Sequence, residues 1–283
     1  MNTAVFLIHC EDRKGLVSEI TGFFFQRGFN IVNCQQHTDS SCQRYFMRLK
    51  LDLTDVEITR AALEREFADF AKNLALEWTV NYSDRTRRIA IMVTKESHCL
   101  YDIIIRWREK EFLCDIPLII SNHPDLEYVA DQFRIPFFCI PLKNNDKASQ
   151  ERKILELLSK HKVNLIVLAK YMRILSSNFV EKYPNKIINI HHAFLPAFQG
   201  ANPYRQAHER GVKMIGATAH YVTAELDKGP IIEQDVERVN HENDVEELKQ
   251  IGKDIERVVL ARAIRAELEN RIIVFNGRTI VFS

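Results

Sequence analysis

The chain has almost no excess of charge: 39 lysines and arginines stand against 38 aspartates and glutamates in 283 residues, a formal net charge of +1. That balance argues against a dedicated nucleic-acid binder, which carries a basic excess. Long hydrophobic runs are missing too. None approaches the roughly 18–20 residues that span a bilayer, so no membrane protein is expected. The opening stretch MNTAVFLIHCEDRKGL has no basic n-region, and Glu11 and Asp12 cut its apolar part short. No signal peptide is expected. Paired cysteines are lacking as well: Cys10, Cys34, Cys42, Cys99, Cys114 and Cys139 occur without one CxxC, most of them in or beside apolar segments. They read as reduced, buried thiols of a cytoplasmic protein, not as a disulfide framework. No internal repeat and no low-complexity tract is found. What is present, 46% hydrophobic and 27% charged residues, is the composition of a soluble globular chain of one large or two ordinary domains.

The first part alternates short strands and helices. Residues 3–10 are β-rich, and Leu16, Val17, Ile20, Phe23 and Phe24 then recur at helical spacing and stop before Gly28. Residues 30–37 predict a second strand. Tyr45, Met47, Leu49, Leu51 and Leu53 alternate strictly, which predicts a strand with one buried face. Ile58, Ala62, Phe67 and Phe70 mark a second helix, and 75–82 a last strand. The order βαββαβ is the ferredoxin-like split βαβ unit.

The polar stretch SDRTRR (83–88) separates a domain at 1–84 from a second at 85–283. Beyond it, near-continuous apolar strands at 89–94, 116–121, 136–140, 164–168 and 187–190 alternate with helices at 99–110, 126–133 and 147–161. That pattern predicts an α/β fold with a mostly parallel, doubly wound sheet covered on both faces. Segments 213–223 and 230–239, joined through LDKGP, predict an antiparallel extension. A long helix at 244–269 and a hairpin at 272–282, turned by Asn-Gly, complete the chain.

In such sheets reacting groups collect beyond the carboxyl ends of the strands, here INIHHAFLPAFQGANPY (188–204). Asn189 and His191, two apart, point the same way from an extended chain, and His192 points to the opposite side. An amide beside an imidazole suits a carbonyl oxygen that is to become an oxyanion. In HYVTAELDKGP (220–230), Asp227 sits in a turn before Gly229, after a strand carrying His220. A carboxylate near an imidazole can take a proton from water and keep the imidazole charged. On spacing alone a histidine in a strand is more often a satisfied core or surface residue, and an Asp before Gly more often turn chemistry. A zinc hydrolase built on His191, His192, His220 and Asp227 is poorly supported, because adjacent strand residues do not easily ligate one ion and no HExxH or cysteine pair is present.

Two resemblances sharpen this reading. CEDRKGLVSEITGFFFQRGFNIVN (10–33) resembles the ACT domain, which often senses amino acids and generally pairs side by side. The resemblance implies a homo-oligomer, dimer or tetramer, and an amino-acid effector near Asp12 and Gly15; Gly15 would either admit a ligand carboxylate to a backbone amide or only ease the turn into the helix. NIHHAFLPAF (189–198), LAKYMRIL (168–175) and HYVTAELDKGPII (220–232) resemble the folate-dependent formyltransferase family, over about 85–283. The resemblance implies a catalytic trio of Asn189, His191 and Asp227. It implies a folate pocket at Met172, Arg173, Leu175, Val180, His220, Val222 and Glu225, with the backbone of 222–227 along the pterin edge. Arg173 as a surface ion-pair residue, Met172 and Leu175 as plain core, and His220 as a support behind Asp227 stay open beside those roles.

No metal and no cofactor is implied, 10-formyltetrahydrofolate being the substrate. Family members that transfer the formyl group to glycinamide ribonucleotide carry a glycine-rich turn after their first strand. The matching turn here, VTKESHCLYD (93–102), has no glycine, although Lys95 remains as a point charge. That turn, and His192 where transferases usually carry Pro, resemble the hydrolytic members instead, whose products are formate and tetrahydrofolate. Control of the one-carbon pool for purine synthesis follows from the resemblance alone. Ala193 departs from it, standing where Ser is frequent. The transferase and an amino-acid-sensing regulator with an inert catalytic domain are the alternatives.

Overall fold

The computed structural model describes residues 2–54, 56–196 and 203–283. The chain forms two compact units: Met1–Arg85 with Glu269–Ile273 and Ile280–Ser283, and Thr86–Leu268 with Val274–Thr279.

The first unit runs β1 (Thr3–Glu11), α1 (Leu16–Phe25), β2 (Asn30–Asp39), β3 (Arg44–Asp52), α2 (Arg60–Asn73) and β4 (Glu77–Tyr82). Its antiparallel sheet has the order β2-β3-β1-β4, the expected βαββαβ unit. Both helices cover one sheet face through an aromatic cluster. The fully buried Phe67 ring lies 4.8 Å from Phe6, 5.3 Å from Phe24 and 4.9 Å from Trp78. Phe67→Ala is therefore expected to cost about 3–5 kcal/mol, read as a lower urea midpoint with an unchanged slope.

The alternation in β3 predicted one buried face, and the structure corrects this. Phe46 and Arg48, on the other face, are buried as well. For Arg48 the cause is the returning C-terminal segment of the same unit: the side chain donates from Nε to the Asn270 carbonyl at 3.0 Å and from its second terminal nitrogen to the Glu269 carbonyl at 3.0 Å. A guanidinium fork suits two adjacent acceptors, and such a partner is invisible in the alternation itself.

The second unit runs β5 (Arg87–Val93), α3 (His98–Arg108), β6 (Cys114–Ser121), α4 (Glu127–Phe133), β7 (Phe137–Cys139), α5 (Lys147–Lys160), β8 (Leu165–Leu168), α6 (Ser177–Val180), β9 (Ile187–His191), α7 (Pro203–Glu209), β10 (Met214–Tyr221), β11 (Ile231–Arg238) and α8 (Val245–Leu268). The sheet order is β11-β10-β9-β8-β5-β6-β7. The inner strands pair parallel, whereas β10 and β11 pair antiparallel. Residues Ile89–Val93 and Leu165–Leu168 are all buried, as the apolar runs predicted. β5 starts inside the expected linker, because Arg88 is fixed to the His161 carbonyl at 2.8 Å and to Asp115 at 3.0 Å. The short helices α6 and α7 carry too little periodicity to be read beforehand. The hairpin β12 (Ile272–Phe275) and β13 (Arg278–Val281) turns at Asn276 (φ 47°) and Gly277 (φ 72°), as its Asn-Gly pair demands.

Among the described residues, no helix is long and apolar enough to cross a membrane. The six cysteines are unpaired, but the expected burial holds only for Cys10, Cys99 and Cys114; Cys42 is half-buried, and Cys34 and Cys139 are exposed.

Candidate active site

β9 ends the parallel set, and its carboxyl end meets the antiparallel strand β10. Their register places Asn189 opposite His220 and His191 opposite Thr218. Directly opposed residues of an antiparallel pair project from one face, so the amide and both imidazoles share it. Asn189 Nδ2 lies 3.2 Å from His220 Nε2. His220 Nδ1 lies 2.9 Å from the Tyr221 carbonyl, an acceptor only, so this nitrogen carries a proton. A neutral His220 then accepts the Asn189 N–H at Nε2; a protonated one turns that nitrogen to Asp227.

Thr218 secures the segment after β9. Its hydroxyl accepts the Leu195 N–H at 3.0 Å and donates to the Ala193 carbonyl at 2.9 Å. The rest of the motif, Ala197 and Phe198, and Gly200 beyond it lie outside the described residues.

Asp227 arrives from the loop between β10 and β11. It adopts φ 54°, a left-handed conformation that Asp tolerates better than most side chains. Gly229 holds the loop down: a methyl group there would collide with the Tyr221 carbonyl, whose own amide bonds the Pro230 carbonyl at 2.9 Å. The carboxylate thereby reaches both rings, with Oδ2 at 3.4 Å from His191 Nδ1 and Oδ1 at 3.7 Å from His220 Nε2. Hydrogen bonding to His191, then to His220, holds the Asp227 carboxyl well below the usual carboxylate range, against the upward push of burial. The other ring nitrogen of His191, Nε2, is buried and has no hydrogen-bond partner among the described residues. One side of this imidazole is fixed to a carboxylate and the other ring nitrogen is unused.

The expectation for His192 is corrected. Strict alternation would send it away from His191, yet the two rings stack at 5.0 Å and 16°. β9 ends at His191, so the strand rule stops one residue too early. Burial, then the charges of Lys170 and His191, push the His192 imidazole down to about 4, which keeps it neutral at ordinary pH.

The implied folate residues divide by burial. Leu175 and Val180 belong to an apolar cluster with Tyr171, Phe179 and Ile187, and Val222 packs on the same cluster. Met172 and Arg173 are exposed, and the Met172 amide donates to Thr94 Oγ1 at 2.9 Å. Glu225 is exposed and bonds Lys228 at 2.8 Å. In the 222–227 segment the Val222 amide is committed to the Ile187 carbonyl at 2.8 Å. Asp12 and Gly15 lie in the first unit between β1 and α1. The Asp12 amide bonds the Gln43 carbonyl at 2.8 Å, and Gly15, at φ 93°, opens α1 without a side-chain cap.

Among the described residues, His98, Cys99 and Glu256 form the one group of three with metal-ligand spacing; the His191, His192, His220 and Asp227 set does not. The Lys170 ammonium already sits 3.1 Å from Glu256. Sequence reasoning missed Glu256, although a carboxylate on the buried stripe Gly252, Ile255, Val259 of α8 was a readable signal.

With this geometry in hand, comparison with known proteins decides the family. Residues 87–264 match the family model described as formyl transferase, and residues 4–68 match the ACT domain. The formyltetrahydrofolate deformylase of Synechocystis sp. is 51% identical over 281 residues, 99% of each chain. That of Bacillus subtilis is 46% identical over 98% of this chain and 93% of its own. The chain belongs to the formyltetrahydrofolate deformylase family. The crystal structure of the deformylase from Pseudomonas syringae pv. tomato superposes with a TM-score of 0.97 at 40% identity, covering 100% of this chain and 95% of that one. A glycinamide ribonucleotide transformylase from Symbiobacterium toebii matches at a TM-score of 0.67 and 30% identity, covering 71% of this chain and 97% of its own. The deformylase likeness therefore includes the ACT unit, whereas the transformylase likeness takes in only part of the chain.

Proposed function

We propose that this chain hydrolyses 10-formyltetrahydrofolate to formate and tetrahydrofolate at Asn189, His191 and Asp227. The observation that carries the reading is the His191 ring, held at Nδ1 by Asp227 while its buried Nε2 has no protein partner among the described residues. A formyl oxygen placed against Nε2 receives a hydrogen bond from the imidazolium, and a second from the Asn189 N–H that His220 does not use. Both bonds strengthen as the oxygen becomes an oxyanion. Asp227 orients the water.

Its depressed basicity in the free site is a product of the imidazolium, and this changes during attack. As the oxyanion neutralises the His191 charge, the carboxylate gains proton affinity and takes the water proton. Asp227 then passes the proton toward N10, and the C–N bond breaks to give formate and tetrahydrofolate. Two hydrogen-bond donors polarise the carbonyl, so the proposal includes no cofactor and no metal. His220, bridging Asn189 and Asp227, is a positioning residue.

Water is the acceptor in this reading because the turn after β5 has no glycine. Cβ atoms there oppose the close backbone approach that a phosphorylated amine needs. Met172, Arg173, Leu175, Val180, Val222 and Glu225 are proposed to line the folate. An amino-acid effector at Asp12–Gly15, a homo-oligomer, a cytoplasmic setting and a role in one-carbon supply for purine synthesis belong to the same proposal. The ACT match and six unpaired cysteines support them.

A formate-release assay with 10-formyltetrahydrofolate, run with and without glycinamide ribonucleotide and small amino acids, tests it. Formate is expected at a rate indifferent to the ribonucleotide. Formyl transfer outpacing formate release would establish the transferase instead, and folate binding without turnover would establish an inert regulator.

A further inference from the structure

Behind His191 the second unit buries a polar network that the hydrolysis proposed above leaves unused. Its hub is Glu256 on α8, 1% exposed. One carboxylate oxygen accepts from Lys170 Nζ at 3.1 Å and from the Tyr204 hydroxyl at 2.9 Å; the other lies 2.7 Å from His98 Nε2. Burial raises the Glu256 carboxyl, but the His98 hydrogen bond and the Lys170 charge outweigh it and bring the group down to about 2. These partners favour the ionised form of the hub.

The network leads toward the site. Tyr204, on α7, is seated over Gly252 of α8, where a methyl group would collide with its hydroxyl. The Tyr204 ring lies 6.3 Å from His192, which is stacked at 5.0 Å on His191. His192 is therefore held between the imidazole that Asp227 grips and a tyrosine whose hydroxyl Glu256 grips.

We propose that Glu256 is a positioning residue for the hydrolysis: by anchoring Tyr204 and Lys170 it clamps His192 against His191, and so holds the His191 ring in the plane where Nδ1 meets Asp227 and Nε2 meets the formyl oxygen. A clamp of this kind is needed because His191 is the last residue of β9, and beyond it no strand pairing fixes the ring. A fully buried carboxylate with three partners is expensive to build. Its position behind the reacting pair, not in front of it, accounts for that expense as orientation of the site. The neutral His192 adds that two stacked imidazoliums never face each other. The charged and titratable groups around His192 are His191 from β9, Lys170 after β8, Tyr204 from α7, Glu256 from α8, His98 from α3 through Glu256, and Asp227 from the loop after β10.

The test uses the full chain and two variants. Tyr204→Phe removes one hydroxyl and leaves the carboxylate with Lys170 and His98; Glu256→Gln keeps the shape and removes the charge. Each is expected to lower kcat for formate release with KM nearly unchanged, by about 10- to 100-fold, the scale of a small misplacement of a reacting group. In Glu256→Gln the Lys170 charge loses its counter-ion, which disfavours the imidazolium of His191. The alkaline limb of the kcat–pH profile is therefore expected to move to lower pH, a change that mere loss of packing does not produce.

The inference rests on the hydrolysis proposed above, and one readout keeps the two apart. In unliganded protein the imidazole proton resonances of His191 and His192 are shifted by their stacked rings, and both variants are expected to move them whether or not formate is released. Folded Tyr204→Phe with wild-type kcat and unmoved imidazole resonances would overturn the clamp, and so would Glu256→Gln with an unmoved alkaline limb. Should Glu256→Gln fail to fold, Tyr204→Phe decides alone. Absence of formate release by the wild-type chain sinks the hydrolysis and leaves the resonance test of the ring geometry standing.

Discussion

Asp227→Asn is expected to reduce kcat for formate release by about 10²- to 10⁴-fold, the usual contribution of a positioned acid–base group, while the Kd for folate changes little. The amide keeps the size and one acceptor of the carboxylate, so the loop held by Gly229 has no reason to move. What disappears is the proton acceptor and the negative charge that favours the His191 imidazolium. Stopped-time formate detection gives kcat, and fluorescence titration with tetrahydrofolate gives Kd; turnover within a few-fold of wild type would remove Asp227 from the mechanism. The same substitution has a stability signature with a fixed sign. The native carboxyl is held below its ordinary range, so its ionised form stabilises the folded state at neutral pH, and this contribution fades as the pH falls below about 3.9, the ordinary Asp value. The wild type is therefore expected to exceed the variant in Tm near neutrality and to converge with it in acid.

The sequence carried the skeleton of this site and lost its surroundings for definable reasons. Asn189 and His191 were legible because a strand alternates with period two, and the register with β10 adds His220 to the same face. His192 was misread because the same rule was applied one residue past the strand end. Asp227 was legible as a turn residue before Gly229. Its two imidazole partners depend on a left-handed φ and a close backbone approach that no spacing encodes. Tyr204 and Glu256 were not found at all, since their meeting joins α7 to α8 across 52 residues of chain. In the first unit the error has the same origin. Arg48 reads as the polar face of β3 until residues 269 and 270 return to cover it. Local periodicity thus located the elements, and distant partners decided which polar residues were buried.

Removal of the two oxyanion donors gives the sharpest discrimination among the roles. Asn189→Ala and His191→Ala are each expected to cost about 10²- to 10³-fold in kcat, as for single oxyanion donors elsewhere. The double variant is expected to lose far less than the product of the two, because once one donor is gone the oxyanion forms poorly whatever the other does. The singles differ in their pH dependence. Asn189→Ala leaves the Asp227–His191 pair intact, and the acid limb of its profile should match the wild type. His191→Ala removes the largest influence that holds the Asp227 carboxyl down. The carboxyl then rises toward the ordinary range, protonates at higher pH as the medium is acidified, and the residual activity fails earlier on the acid side. Equal acid limbs in the two variants would mean that Asp227 does not act as the base, and full additivity in the double variant would mean that Asn189 and His191 do not serve one oxygen.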